Sequence, residues 1–281
     1  MSTTTISASE VAKLREQTGA GMMDCRKALA ESNGDFEAAI DWLRKKGQKV
    51  AANRSDREAK EGVVVAKSNG NFGVIIAISS ETDFVSKNQE FVDFANSIAD
   101  LALQSRAESI EALKALDFGG ATLADRVLET VAKIGEKIDV TRLEHVHADT
   151  VVAYIHGAYR IGVLVGLNKA STEGIQEAGK DVAMQIAAMN PLGLNETSIA
   201  PEVIDRERTI VMDTMRNDPK MAGKPDEMIS KIAEGKLNAF FKENTLMAQA
   251  FVKDPGKNVE AYVSGVEKGL TVTDFKRVAI G

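Results

Sequence analysis

Two parts of the chain share one pattern, in which a pair of apolar runs joined by a turn is followed by a segment with helical periodicity. The first pair spans 62–78 and turns at an Asn-Gly dipeptide, which between apolar runs is typical of a β-hairpin. The second pair spans 150–167. Apolar residues then recur at helical spacing over 87–104 and 175–188. This weak internal repeat predicts an α+β fold whose core has two related units, each with an antiparallel hairpin and a helix.

The segment before the first hairpin, residues 1–50, predicts a bundle of three short helices with candidate N-caps at Ser9 and Asp35. About 40 residues bury little surface by themselves, so such a bundle is typically a docking module appended to a larger domain. Residues 51–61 are polar and lack periodicity, and we interpret them as a linker.

A second departure from the repeat lies at 191–245, where two segments of helical periodicity surround a turn at 217–225. This pattern predicts an inserted helical hairpin that resembles a coiled coil, although it contains few heptads. The predicted core units are then 62–140 for the first, and 141–190 with 246–281 for the second. Apolar residues in the tail predict strands that complete the second sheet.

Composition narrows the classes of function. The 281 residues include 35 Lys and Arg against 41 Asp and Glu, and this net charge of −6 argues against a general nucleic-acid binder. The single cysteine, Cys25, excludes an internal disulfide and suits a reducing cytosol. No apolar stretch approaches the length of a membrane span, and the first residues lack a signal-peptide pattern. We therefore expect a cytoplasmic protein with no direct nucleic-acid or membrane partner.

The loop 81–87, between the first hairpin and the helix after it, places a carboxylate beside an aromatic ring at Asp83 and Phe84. Binding residues concentrate on loops held by rigid elements. A structural interpretation is also open, because Ser86 and Gln89 have capping-box spacing, and Phe84 and Val85 could be apolar residues at the entrance of the following helix. Against it, a hydrophobic staple would need an apolar residue where Glu90 stands.

No group of residues has the spacing of a catalytic site. His145 and His147 could share one strand face as metal ligands, but no third ligand is suitably spaced, so surface polar residues are the better interpretation. We expect Cys25 to face the bundle core, His156 to lie at a turn, and the second Thr-Asp-Phe triplet, at 273–275, to lie in a strand. A glycine-rich phosphate loop is also missing. We expect a protein that is not an enzyme and has no cofactor or metal.

Three segments closely resemble the signatures of one family, bacterial elongation factor Ts. The run LREQTGAGMMDCRKAL at 14–29 resembles its N-terminal signature, TDFV at 82–85 its second, and HGAYRIGVLV at 156–165 its third. The order matches the family along nearly the whole chain.

The resemblance implies a guanine-nucleotide exchange factor for elongation factor Tu, the GTPase that delivers aminoacyl-tRNA. It also implies a ubiquitin-associated-like N-terminal bundle, two α+β core subdomains and an inserted coiled coil. The residues expected beside the partner's magnesium site are Thr82, Asp83, Phe84 and Val85. Further partner contacts are expected at Arg15, Met22, Met23 and His156.

The implied mechanism divides the work between two side chains. Phe84 would wedge the partner's helices apart, and Asp83 would compete for the groups that orient the magnesium-bound waters. Adjacent residues on a helix point about 100° apart, so we also expect at least one of Met22 and Met23 to be exposed.

The sequence departs from the family pattern at Gln185, where members often have a histidine, and at Arg277–Gly281, after which members usually continue into a short helix. Two alternatives remain: a multidomain protein-binding scaffold without exchange activity, and a metal hydrolase that uses His145, His147 and a distant carboxylate.

Overall fold

The N-terminal bundle is built as predicted from three helices that share a small core. The computed structural model describes residues 6–218, 221 and 224–281. The helices are α1 (Ala8–Thr18), α2 (Met22–Glu31) and α3 (Phe36–Asn53). Cys25 is fully buried in their common core, which confirms that it faces the bundle interior.

The caps of these helices are polar side chains that accept backbone N–H groups. Asp35 caps α3 as predicted, accepting from the N–H of Ala38. The predicted cap of α1 is wrong, because Ser9 lies inside the helix. Ser7 is the cap and forms a capping box with Glu10, in which each side chain accepts the other residue's backbone N–H.

The first antiparallel sheet has the strand order β1-β2-β3. Its strands are β1 (Glu61–Ser68), β2 (Phe72–Ser80) and β3 (Asp139–His147). The helices between β2 and β3 are α4 (Asp83–Ser86), α5 (Gln89–Ser105), α6 (Ile110–Lys114) and α7 (Leu123–Ile134). One face of the sheet packs against α5 and α7 through a mostly aliphatic core that includes Ile76, Ile98 and Val131.

The second antiparallel sheet has the strand order β4-β5-β8. Its strands are β4 (Thr150–His156), β5 (Ile161–Leu167) and β8 (Val272–Ala279), and α8 (Glu173–Met189) covers one face. The tail therefore completes the second sheet as predicted, with residues 273–275 inside a strand.

The two sheets pack face to face, so the core has four layers: helices, sheet, sheet and helix. Val64 and Ile75 of the first sheet meet Val151 and Leu164 of the second. A Cβ at Gly73 would lie 2.7 Å from a methyl of Val151, so glycine permits this close approach. Strands that are covered on both faces need apolar residues on both, which explains why the two hairpins are almost continuously apolar.

Two long helices, α9 (Pro201–Arg216) and α10 (Asp226–Asn244), follow α8 along the chain. They pack together through Val211, Met215, Ile229 and Ala233. The predicted turn at 217–225 lies partly outside the described residues. The sequence did not predict the elements that follow: β6 (Ala250–Phe251), β7 (Asp254–Asn258) and α11 (Val259–Val266). Within the described residues, no helix is long and apolar enough to cross a membrane.

The structure corrects two predicted domain boundaries. α3 continues to Asn53, so the linker cannot begin at residue 51. β3 pairs with β2, so the first unit extends to His147 and does not end at 140. The remaining division of the chain into domains stays a prediction. The α+β class, with N-terminal helices and small antiparallel sheets, is confirmed.

Candidate protein-binding site

The loop 81–87 exposes one apolar side chain and anchors its neighbour. Phe84 is 84% exposed, whereas Val85 packs partly against the core of the first unit. Both belong to α4, where successive side chains point about 100° apart, so anchoring Val85 directs Phe84 away from the core. The next helix is capped by Asn88, while the Ser86 hydroxyl donates to the carbonyl of Asp83. The structural interpretation is therefore wrong for Phe84, whereas Val85 does pack against the core.

The backbone at the base of the loop is held by Glu136, the residue after the left-handed cap of α7. Its carboxylate accepts the backbone N–H groups of Glu81 and Thr82, each at 3.1 Å, and the Thr82 hydroxyl at 2.7 Å. Hydrogen bonds to a charged acceptor are the stronger kind, so the start of α4 is fixed to the end of α7.

The side chain of Glu81 makes a second set of contacts at the same place. It accepts hydrogen bonds from Arg54 at 2.9 Å, from Arg57 at 3.0 Å and from the backbone N–H of Lys137 at 2.6 Å. Burial by itself would raise the pKa of Glu81, but the hydrogen bonds from Lys137, Arg57 and Arg54 outweigh it and lower the pKa to about 2. Glu81 is therefore an anion at neutral pH.

Asp83 lies next to Phe84 and forms an ion pair with Lys87 at 2.6 Å, one turn further along the chain. The hydrogen bond from Lys87 lowers the pKa of Asp83, so its carboxyl is charged at neutral pH. The Lys87 side chain is mostly exposed, and ion pairs of this kind contribute little net stability. The carboxylate can therefore exchange Lys87 for another polar partner at low cost.

A groove of about 660 Å³ adjoins Phe84. Its apolar wall is formed by Phe84, Val85, Phe91, Phe94 and Ile134. Charged side chains at its edge include Glu90 and Lys133, which form an ion pair at 2.8 Å. An exposed aromatic beside an apolar groove with a charged edge is typical of protein-binding surfaces.

The other predicted contact residues are exposed as well. Met22 and Met23, at the start of α2, are 55% and 74% exposed, which confirms that they are not both core residues. Arg15 is exposed on α1. His156, at the end of β4, is exposed, and its Nδ1 lies 3.0 Å from the hydroxyl of Tyr154.

The turn after His156 is bonded to the same end of the first sheet as the loop 81–87. The three residues at 157–159 all have left-handed φ values, 63°, 51° and 69°. The carbonyl of Tyr159 accepts the N–H of Val64 at 2.8 Å, and Arg160 forms an ion pair with Glu61. Glu61 pairs with Ser80, which directly precedes the loop. The structure thus brings the second and third signature segments to one end of that sheet, whereas the first lies on the bundle.

The residues considered for metal and thiol chemistry do not assemble into a site. His145 and His147 are exposed on β3, and within the described residues no three His, Cys, Asp or Glu side chains are grouped to hold a metal ion. Burial raises the pKa of the Cys25 thiol.

Gln185 is buried and supports the segment after α10. Its side-chain amide donates to the carbonyl of Ala250 at 3.1 Å, and its side-chain oxygen accepts the N–H of Val252 at 2.8 Å. In this chain Gln185 is therefore a structural residue.

Sequence reasoning missed the residues that hold the loop. Glu136 and Arg54 lie 54 and 27 residues from their hydrogen-bond partners Thr82 and Glu81. A local pattern cannot indicate such pairs. The available sequence signal was weak, an acidic residue directly after the Gly135 that ends α7.

An exposed aromatic side chain on a clamped loop, together with exposed methionines on the bundle, is typical of a factor that acts by binding other proteins. A family model described as Elongation factor TS matches residues 81–281. Proteins named Elongation factor Ts from Christiangramia forsetii and Flavobacterium psychrophilum are 49% and 48% identical over 278 and 279 residues. These alignments cover 98% and 99% of this chain and 99% of each relative. A third, from Amoebophilus asiaticus, is 46% identical over 98% of this chain and 99% of its own. The chain belongs to the elongation factor Ts family and is a translation elongation factor.

Proposed function

We propose that this protein is a guanine-nucleotide exchange factor that binds elongation factor Tu with GDP and promotes GDP release by disturbing the magnesium and phosphate site. The observation that carries the proposal is the 84% exposure of Phe84 beside the charged carboxylate of Asp83, on a loop whose base is clamped. An apolar ring held in solvent gains free energy when a partner buries it, about 1.5–3 kcal/mol for full burial.

Phe84 acts in this proposal by its volume. The clamp by Glu136 keeps α4 in place, so force on the ring is resisted by the first sheet and α7. The adjoining apolar groove accommodates a helix or loop of the partner that Phe84 has displaced. A rigid wedge loses less entropy on binding than a flexible loop does, and more of its binding energy goes into distorting the partner.

Asp83 acts by its charge. Magnesium requires near-octahedral oxygen coordination and bridges the nucleotide phosphates to the GTPase. A carboxylate introduced beside that site competes for the groups that orient the magnesium-bound waters. Asp83 reaches it by releasing the mostly exposed Lys87.

The remaining contacts supply affinity at a distance from the magnesium site. Met22 and Met23 offer flexible apolar side chains that conform to an irregular surface, and Arg15 and His156 add polar contacts. The protein works in the cytoplasm, needs no cofactor, makes no direct contact with nucleic acid, and carries out no covalent chemistry. Binding free energy that favours the distorted partner is sufficient, because the factor and GDP must weaken each other's binding by the same coupling free energy.

The test is the release of labelled GDP from elongation factor Tu, followed by stopped-flow fluorescence at increasing factor concentration. The wild-type protein should accelerate release along a saturating curve. Binding without acceleration would instead support the scaffold alternative and contradict the proposal.

The role of Asp83 is tested by Asp83→Ala across a magnesium titration. The defect in GDP release should grow as magnesium rises, because the missing carboxylate no longer opposes ion binding. Asp100→Ala is a matched control: Asp100 also forms an ion pair, with Lys67 at 2.7 Å, and its side chain is similarly exposed, 51% against 47%. An Asp83→Ala defect that is the same at every magnesium concentration would contradict this role.

A further inference from the structure

The contacts of Glu81 connect the loop to the N-terminal bundle. Arg54 is the C-cap of α3, the third helix of the bundle, and Arg57 follows it within one turn of chain. Both guanidinium groups converge on the Glu81 carboxylate, whose side chain is 13% exposed. Lys137 closes the cluster, since its Nζ donates to the carbonyls of Ser55 at 2.5 Å and Arg57 at 3.0 Å. We call Glu81, Arg54, Arg57 and Lys137 the Glu81 cluster.

The bundle side of this connection is stiff. α3 is continuous for 18 residues from the bundle core to Arg54. It crosses α7 in close contact, because a Cβ at Gly47 would lie 2.8 Å from the carbonyl oxygen of Leu128. Val50 and Ala51, in its last turns, pack against the core of the first unit. The end of α3, and with it the partners of Glu81, is therefore held in a fixed orientation relative to the bundle.

The loop itself has separate support. Glu136 holds the backbone N–H groups of residues 81 and 82 and the Thr82 hydroxyl. The Ser80 hydroxyl donates to the carbonyl of Thr82 at 3.0 Å. The loop can therefore stay folded without the Glu81 carboxylate. What that carboxylate adds is the connection to residues 54–57 and to the N–H of Lys137.

We propose that Glu81 is a positioning residue that couples docking of the N-terminal bundle on the partner to the placement of Asp83 and Phe84. The inference rests on the proposed exchange function and adds a regulatory connection to it. When the partner engages Met22 and Met23, α3 transmits the orientation of the bundle to the Glu81 cluster. The loop is then held at the angle that lets Phe84 enter between the partner's helices. Without the carboxylate, the bundle still docks and the loop is still folded, but their relative orientation is less well defined.

The experiment measures GDP release from elongation factor Tu at saturating and subsaturating concentrations of Glu81→Gln, in the full-length protein. The coupling predicts that the maximal release rate falls about tenfold, because small misplacements of an active group are costly. The half-saturating concentration should stay within about twofold, because the docking residues are intact. A merely structural role for Glu81 would lower the melting temperature and leave the maximal rate at lower temperature unchanged.

Two further variants make the test independent of any folding defect. Arg57→Ala removes a side chain that is 55% exposed, so the protein should fold normally and still show a reduced maximal rate. The double variant Glu81→Gln/Arg57→Ala should be no slower than Glu81→Gln, since both changes break one connection. Glu129→Gln is the matched control. Glu129 forms an ion pair with Arg126 at 2.9 Å, its side chain is 16% exposed and so similarly buried to that of Glu81, and it lies outside the Glu81 cluster.

The possible outcomes separate the two proposals. If the wild-type protein accelerates GDP release and Glu81→Gln retains its maximal rate within about twofold, the coupling is wrong and the exchange function stands. If Glu129→Gln is slowed as much as Glu81→Gln, the loss is general and the coupling is again wrong. If the wild-type protein does not accelerate GDP release, the proposed exchange function itself is wrong.

Discussion

Replacing Phe84 with alanine should separate exchange activity from folding. Phe84 is 84% exposed, so about one sixth of the residue's surface is covered by the rest of the protein. Full burial of a phenylalanine contributes about 1.5–3 kcal/mol, and a sixth of that is below about 0.5 kcal/mol. A buried phenylalanine would instead cost about 3–5 kcal/mol on truncation. For a chain of this size we expect the melting temperature of Phe84→Ala to change by less than about 2 °C.

The effect on exchange should be much larger. Aromatic anchors at the centre of an interface typically cost at least 2 kcal/mol when truncated, which corresponds to roughly 30-fold in rate or affinity. Stopped-flow release of labelled GDP, at saturating factor, should therefore slow by about that factor. Binding through the bundle and His156 should persist in a pull-down with elongation factor Tu.

Phe251→Leu serves as the reciprocal control. Phe251 is buried and stacks on Tyr262, with ring centroids 4.0 Å apart. Leucine there should lower stability by about 1 kcal/mol and leave GDP release unchanged at a temperature where the variant is folded. If Phe84→Ala keeps full exchange activity while its stability is unaltered, Phe84 does not act as a wedge in the partner. A loss of about 3 kcal/mol in its stability would refute the reasoning from exposure.

Three further predictions concern stability and reactivity. The pKa of Glu81 is about 2 in the folded protein, against an ordinary value of 4.5. The charged carboxylate therefore contributes on the order of 2–3 kcal/mol to the free energy of unfolding above pH 4.5, and this contribution is lost as pH falls toward 2. In urea titrations, the difference in unfolding free energy between wild type and Glu81→Gln should shrink over the same pH range. The buried thiol of Cys25 should react with a thiol reagent at least about 100-fold more slowly in the folded protein than in urea, and equal rates would contradict its burial. Gln185→Ala leaves the N–H of Val252 without its acceptor and should cost about 1–3 kcal/mol, whereas Gln176→Ala, at a solvent-facing hydrogen bond on the same helix, should cost much less.

The architecture of the core was predictable because its signal is local. Each hairpin is apolar on both faces over a short stretch, and this requires a layer on each side. For β3, the sequence indicated a strand at the two histidines but not its pairing with β2, and the reason is equally physical. Its pairing with β2 contains a bulge at Thr141, so the core-facing residues Val140 and Leu143 are three positions apart, where a regular strand would place them two or four apart.

The tip of the candidate site was predictable, and its support was not. An Asp-Phe pair at a strand-to-helix loop is visible in the sequence, and the exposure of Phe84 agrees with a binding role. The hydrogen bonds from Thr82 to Glu136 and from Arg54 to Glu81 join residues that are distant in the chain. Each of these residues would suit an ordinary solvated surface, and only the packing of α3 on α7 brings them to the loop. The turn at 157–159 shows the same limit, since glycine explains just the first of its left-handed residues.

The measurement that tests the central claim most directly is the ratio of two affinities of the wild-type protein, for elongation factor Tu free of nucleotide and for the same GTPase loaded with GDP. Isothermal titration calorimetry gives both, with Phe84→Ala measured in parallel. We expect the wild-type protein to bind the nucleotide-free form more tightly, and GDP affinity to fall by the same ratio in its presence. The ratio should move toward one for Phe84→Ala. A wild-type ratio of one, or a ratio that Phe84→Ala leaves unchanged, would contradict the claim that this loop drives nucleotide release.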